Sequence, residues 1–130
     1  TVIPLLPARA GNLIDALPAP GTLSNVDARK WYLAQDAKIP GLIDPSLSLE
    51  ERARQAFELR NQFRTQAREL MADRELAERL ALTDPNLTWD QVVQKAMNQG
   101  KSGDDIYYYI IESSQRSRLS VDSDFGLLAK

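Results

Sequence analysis

The pattern of apolar and polar positions is clearest between Ser48 and Arg74. At about 100° per residue, apolar side chains fall on one side and acidic and amide side chains fall opposite, which is typical of an amphipathic helix. The apolar side comprises Leu49, Ala53, Ala56, Phe57, Phe63, Ala67, Leu70 and Met71. Ser48 and Glu51 have the spacing of a capping box, so we expect the helix to begin there.

Three arginines interrupt the apolar side of this helix. Arg60 lies inside it, Arg64 lies beside it and Arg68 lies at its edge. Because a buried unpaired charge is costly, these side chains need partners. One interpretation is internal ion pairing, with Arg60 the most buried; the other is an anion-binding surface that includes Asn61 and Thr65 on the adjacent stripe. Candidate internal partners are Asp36, Asp44, Asp73, Asp104 and Glu112.

The same pattern predicts helices on both sides of this stretch. Ser24 is expected to cap a first helix that ends near Lys38, before Pro40. The long helix should be re-capped near Asp73 and continue as far as Leu82.

Two capping signals predict the helices of the C-terminal half. One helix should run from Thr88 to Gly100, and the next should begin near Ser102. The latter carries the run 106–111, which is apolar nearly all round, so it should be the most buried helix or have a partner on its second side. A short terminal segment follows. No alternating β pattern appears, and we therefore predict an all-α fold, a small bundle of four to five helices.

The first 23 residues differ from the rest in composition. They hold four of the seven prolines, which block helix interiors. We interpret residues 1–23 as an extended leader or linker and residues 24–130 as the helical domain. The alternative is that apolar leader residues, among them Ile3, Leu6 and Ile14, pack over the helical body as a strap.

Composition excludes several kinds of chemistry. The chain has no Cys and no His, which removes thiol nucleophiles, disulfides, Cys/His zinc sites and histidine acid–base catalysis. It has 16 basic and 18 acidic residues, so any nucleic-acid site must be a local patch. No apolar run approaches the roughly 20 residues of a membrane span, and we expect no stable membrane insertion. No cofactor and no metal is expected.

The arginine stripe is the strongest candidate for chemistry. Arginine forks match phosphate oxygens at two points, so Arg64 and Arg68 are candidate catalytic cations, while Arg60 with Asn61 and Thr65 is a candidate nucleic-acid contact. The run Ser113–Ser120 adds two further phosphate-contact candidates, Arg116 and Arg118. A general base would come from Asp73, Asp104 or Glu112; Asp73 and Glu112 are the catalytic candidates among these.

Alternative roles remain for the residues before and within the tyrosine helix. Asp104 and Asp105 suit the positive end of a helix dipole, and metal binding is their other possible role. Tyr107, Tyr108 and Tyr109 suit core packing or a protein interface, and base stacking is the alternative.

Three stretches together resemble a known family. They are LSLEERARQAFELRNQFRTQARELMADR, DPNLTWDQVVQKAMNQG and SSQRSRLSVDSDFGLL. The pattern is similar to the C-terminal regions of filamentous-haemagglutinin-like, two-partner-secreted bacterial exoproteins, including contact-dependent growth inhibition effectors. The resemblance covers about Asp27 to Leu127.

This resemblance implies a setting in bacterial competition. The chain would be a toxin module of a larger secreted or cell-surface exoprotein, delivered to the cytoplasm of a target cell and neutralised by a cognate immunity protein. Many toxins of this family are nucleases that often cut transfer RNA. Since the chain lacks His, we expect a metal-independent ribonuclease if it is an enzyme, in which the RNA 2′-hydroxyl attacks its own phosphate. The alternative is a non-enzymatic helical binding or cytoplasm-entry module.

Overall fold

The computed structural model describes residues 17–112 and 118–127. Within these ranges the fold is all-α, as predicted, and no strand is formed. The six helices are α1 (Asn25–Leu42), α2 (Leu49–Leu70), α3 (Arg74–Thr83), α4 (Trp89–Asn98), α5 (Asp104–Glu112) and α6 (Arg118–Asp124). The count exceeds four to five because α3 is separate from α2 and because the terminal segment is itself helical.

The long helix α2 is the centre of the packing. Helices α1 and α5 contact it most extensively, and α4 packs against α5. One apolar cluster joins α1, α2, α3 and α6 through residues such as Tyr32, Phe63 and Phe125. A second, smaller cluster joins α2, α4 and α5, where the rings of Phe57 and Trp89 meet edge to face at 5.4 Å.

Side-chain caps begin four of the helices where the sequence predicts them. Ser24 accepts a hydrogen bond from the backbone N–H of Asp27, and Asp73 accepts one from Leu76. Ser48 and Thr88 each form a complete capping box, with Glu51 and Gln91 respectively. These bonds satisfy N–H groups that have no partner inside the helix.

The sequence predicted that α1 ends near Lys38, before Pro40, and this prediction is wrong. The helix continues through Pro40 to Leu42. Proline removes one backbone hydrogen bond and disfavours helix by roughly 3 kcal/mol. Ile39 and Leu42 are fully buried, and each such side chain contributes about 1.5–3 kcal/mol. Burial of these two residues offsets the local cost of the proline.

The end of the proline-rich leader contacts the α2–α3 junction. The backbone N–H groups of Gly21 and Leu23 donate to the carbonyls of Glu69 and Leu70, and Ala72 donates back to Leu23. This short bridge lies at the point where α2 ends and α3 begins. Of the leader residues expected to form a strap, those from Ile3 to Ile14 lie outside the described residues, and Leu17 is 58% exposed and does not pack as a strap would.

Helix α5, whose sequence is apolar nearly all round, is not the most buried helix; it has a second partner instead, because it contacts both α2 and α4. Of its six apolar or aromatic residues only Ile110 is fully buried, whereas α2 buries ten residues. Tyr108 points away from the packing and is 48% exposed. No helix of the described ranges is long and apolar enough to cross a membrane.

Candidate functional site

Arg60 is buried and bonded entirely within the molecule. Its side chain is 1% exposed. Its Nε donates to Asp36 Oδ1 at 2.8 Å, and its two terminal nitrogens donate to the carbonyls of Ile110 and Ile111. The guanidinium therefore ties α2 to α1 and to the C-terminal end of α5, where helix carbonyls lack partners. Asp36 was among the partners that the sequence suggested.

Arg64 is as buried as Arg60, whereas the sequence placed it nearer the edge. It is 1% exposed. Its Nε and Nη2 lie 3.1 and 2.8 Å from Asp124 Oδ2, and its Nη1 donates to Asn86 Oδ1 at 2.8 Å. Asp124 is supplied by α6 and is also 1% exposed. The pair is thus a desolvated ion pair with additional hydrogen bonding, the arrangement in which a buried charge is tolerated.

Arg68 lies one turn further along α2 and approaches the same carboxylate. It is 8% exposed, and its Nη2 lies 3.6 Å from Asp124 Oδ1. The same nitrogen donates to the backbone carbonyl of Asp84 at 2.7 Å. Asp124 is therefore shared by two arginines, one on each of its oxygens.

The polar stripe beside the arginines holds the loop between α3 and α4. Asn86 in this loop donates to Thr65 Oγ1 and to the backbone carbonyl of Asn61, both at 3.3 Å. Asn61 in turn donates to the carbonyl of Leu87 at 3.4 Å. Asn61, Thr65, Arg64 and Arg68 thus converge on the segment 84–87, where their hydrogen bonds position a loop.

The remaining predicted site residues do not join this cluster. Asp73 is the exposed cap of α3, and Glu112 is exposed at the end of α5. Arg116 lies outside the described residues. Arg118 is the first residue of α6, and its side chain also lies outside them. The structure thus brings together two predicted catalytic residues, Arg64 and Arg68, with no predicted base beside them.

Asp124 and Asn86 are the two partners that the sequence analysis missed. A helical pattern places Asp124 on the same face as Val121, three positions before it, and the apolar residue Phe125 follows directly. Both of those apolar residues are buried. An acid on the apolar face of a terminal helix is the signal that would have identified it as the partner of a buried arginine.

The buried charges also affect a neighbouring phenol. Burial, and secondly the negative charge of Asp36, raise the pKa of Tyr32 from 10.0 to about 12; Arg64 and Arg60 act in the opposite direction. Tyr32 is 1% exposed and packs 6.0 Å from the ring of Phe125. It therefore remains neutral across the physiological range and acts as a core residue.

An open pocket of about 200 Å³ lies beside the buried cluster, between α2 and α3. It is lined by Thr65, Arg68, Glu69, Arg74, Ala77, Glu78 and Ala81. One nitrogen of Arg74 is already hydrogen-bonded there: its Nη1 donates to the carbonyls of Arg68, Glu69 and Met71 at the end of α2. Among the residues placed by the structure, no group of three or more acidic side chains could hold a metal ion.

The fold and the cluster together define a class: a small all-α domain whose helices are joined by buried arginine–aspartate contacts. No protein-family model, no curated protein and no solved structure matches the chain.

Proposed function

We propose that this domain is a non-enzymatic helical binding module of a large secreted bacterial exoprotein. The observation that carries the proposal is the internal bonding of Arg60 and Arg64, which are each 1% exposed. A phosphate cannot approach a guanidinium in that position unless packed side chains move. An internal structural role therefore accounts for Arg60 and Arg64 without any activity.

The accessible surface supports the same proposal. Four of the five large hydrophobic side chains that remain exposed in the described residues lie on helices, namely Val26, Leu82, Met97 and Tyr108; the fifth, Leu17, precedes α1. Methionine and the aromatic residues are enriched in protein interfaces, and Met97 and Tyr108 are of these types. Within the exoprotein setting implied by the sequence resemblance, such a module would serve recognition or entry into the target cell.

Expression inside a bacterium tests this proposal. The chain would be induced in the cytoplasm without a secretion signal, and growth and total RNA would be followed. A binding module leaves growth and the transfer RNA pattern unchanged. An uninduced culture serves as the control, and the soluble chain is quantified in the induced culture. Growth arrest with discrete RNA fragments in the induced culture would contradict the proposal.

A second candidate is a metal-independent ribonuclease toxin, directed at transfer RNA and neutralised by an immunity protein. The pocket between α2 and α3 favours it, because Thr65 and Arg68 there adjoin Glu69, Glu78 and Arg74. A cation and a carboxylate at one open site are what transesterification by the 2′-hydroxyl needs. In this version Arg68 stabilises the phosphate and Glu78 acts as the base.

A pair of matched variants tests the ribonuclease. Glu78 is exposed and borders the pocket, while Glu75 is exposed on the same helix and does not line it. If the purified chain cleaves RNA through this pocket, Glu78→Gln loses cleavage and Glu75→Gln keeps it, with equal melting temperatures. Equal cleavage by both variants would remove the pocket from the mechanism.

A further inference from the structure

An open pocket of about 170 Å³ lies where the end of α1, the first turn of α2 and the end of α5 meet. Its lining includes one arginine and four apolar residues, namely Arg52, Pro40, Ile43, Pro45 and Ile111. Pro40 takes part because α1 continues through it, and Ile43 and Pro45 belong to the turn that follows. None of these residues lines the pocket between α2 and α3, so the two pockets are separate.

The guanidinium of Arg52 has no internal partner. Its side chain forms no hydrogen bond or ion pair with the described part of the chain; its Nε is shielded from water and has no acceptor, whereas Nη1 and Nη2 remain accessible. Arg60, Arg64 and Arg68 on the same helix all have a carboxylate partner. Shielded polar groups without a partner are rare in folded proteins, so this arginine calls for an acceptor from outside the chain.

The acids close to Arg52 are engaged elsewhere. Glu51 Oε1 accepts from the backbone and the hydroxyl of Ser48 in the capping box, and Asp44 Oδ1 accepts from Ser46. The positions one helical turn away on α2 carry no acid; they are Ser48, Leu49, Gln55 and Ala56. Within the described residues, therefore, no counter-charge is placed on Arg52.

We propose that this pocket is a binding site for a carboxylate that carries an apolar group. The two terminal nitrogens of Arg52 bind the two carboxylate oxygens, in the two-point geometry that suits a guanidinium and a carboxylate. The proline and isoleucine side chains remove the apolar group from water. A single guanidinium balances a single negative charge, and apolar walls disfavour a dianion such as a phosphate monoester. The site goes beyond the proposed function and does not depend on it.

Titration with isovalerate, a small branched carboxylate, tests the site. The isotope-labelled full chain is kept at constant pH and at an ionic strength made up with chloride. The backbone amide signals of Ile43, Arg52 and Ile111 should shift saturably at about millimolar concentration. Acetate lacks the apolar group and isovaleramide lacks the charge, so each should bind about tenfold more weakly or less. Equal shifts with all three compounds would overturn the proposal.

A matched pair of arginine variants separates the pocket from general attraction of anions. Arg52→Met keeps an apolar stem and removes the fork, so isovalerate should bind about tenfold more weakly or not at all. Arg54 is exposed on the same helix, lies 4.3 Å from the centre of the Trp89 ring and does not line the pocket. Arg54→Met should therefore bind isovalerate as the wild-type chain does. Equal affinities of the two variants would remove Arg52 from the site.

The melting temperature distinguishes a ligand-binding arginine from a structural one. Because the side chain of Arg52 has no partner in the described chain, Arg52→Met should melt no lower than the wild-type chain in the absence of ligand. Isovalerate should raise the melting temperature of the wild-type chain and leave that of Arg52→Met unchanged, since only a folded state with a site gains from the ligand. A ligand-free variant that melts well below the wild-type chain would show a structural role for Arg52 and overturn the proposal.

A second acid distinguishes the source of the carboxylate. N-acetyl-alanyl-leucine carries the carboxylate of a peptide C-terminus. Tighter binding of this peptide than of isovalerate assigns the site to the C-terminus of a partner chain, and the reverse order assigns it to a free small acid. Either order supports the site, and binding of neither compound overturns it. Growth and RNA cleavage are not among these readouts, so this proposal and the proposed function can fail separately.

Discussion

Asp124 is the residue on which two of the buried arginines depend. Arg64 is 1% exposed and Arg68 is 8% exposed, and both approach its carboxylate. Asp122, two positions earlier, makes a different kind of pair with Arg29, in which both side chains remain about one-fifth exposed. The two acids therefore offer a comparison of a buried and a partly exposed ion pair on one short helix.

Neutralising Asp124 should be far more harmful than neutralising Asp122. Asp124→Asn leaves buried guanidinium groups uncompensated, and we expect it to lower the free energy of unfolding by about 3–5 kcal/mol. Asp122→Asn should cost about 1 kcal/mol or less, because water screens its pair. Urea denaturation followed by circular dichroism measures both. Losses of similar size would show that the burial of Asp124 has no energetic consequence.

Tyr32 should make the folded state sensitive to alkali. Its pKa is about 12 in the folded chain against 10.0 as the reference value, so the unfolded chain loses the phenolic proton first. The stabilising contribution is complete below pH 10 and is lost as the pH rises from 10 to 12. It amounts to about 3 kcal/mol for a shift of this size. Denaturation at several alkaline pH values should show a shallower decline for Tyr32→Phe than for the wild-type chain.

At the scale of elements, most helix beginnings depend on contacts within four residues. The caps at Ser24, Ser48, Asp73 and Thr88 all bond to a backbone N–H three positions later. Such contacts can be read from spacing alone. Helix ends depend more on distant packing, as α1 shows by continuing through Pro40.

The capping box at Ser48 should contribute measurably to the stability of α2. Ser48→Ala removes the side chain that accepts from Glu51 N–H, and we expect a loss of about 1 kcal/mol. Ser102 also precedes a helix, yet its hydroxyl forms no hydrogen bond to the described part of the chain. Ser102→Ala should therefore be close to neutral. Chemical denaturation of the two variants checks this, and equal effects would argue against the box.

At the scale of the whole molecule, α6 closes the bundle. Its residue Val121 and the adjoining Phe125 complete the main apolar cluster, and its acids neutralise arginines on α1 and α2. These contacts join parts of the chain that are distant in sequence; Arg64 and Asp124 are 60 positions apart. The terminal helix is thus a component of the core, although the sequence marked it only as a short terminal segment.

A chain ending at Glu112 should be much less stable than the full chain. The truncation removes Val121 and Phe125 from the core as well as the counter-charge of Arg64. We therefore expect a loss greater than the roughly 3–5 kcal/mol of Asp124→Asn, with a broadened unfolding transition. Thermal denaturation measures it. A truncated chain that unfolds as cooperatively as the full one, at the same temperature, would show that α6 is dispensable.

The candidate site could be predicted from the sequence only in part. The arginine stripe was visible because charges stood among apolar positions, and Asp36 was one of five acids proposed as internal partners of the arginines. Asp124 and Asn86 were not found. Which of the 18 acidic residues pairs with a given arginine depends on which parts of the chain meet in space. Spacing along the chain does not carry that information.

By itself, the sequence determined the all-α class, the helix starts and the demand for partners that the arginines impose. These follow from local hydrogen bonds and from the period of the apolar pattern. Only the tertiary structure decided how that demand is met: Arg64 is as buried as Arg60, and a carboxylate from α6 lies between Arg64 and Arg68. The physical reason is that a desolvated charge takes its counter-charge from whatever element packing brings within reach.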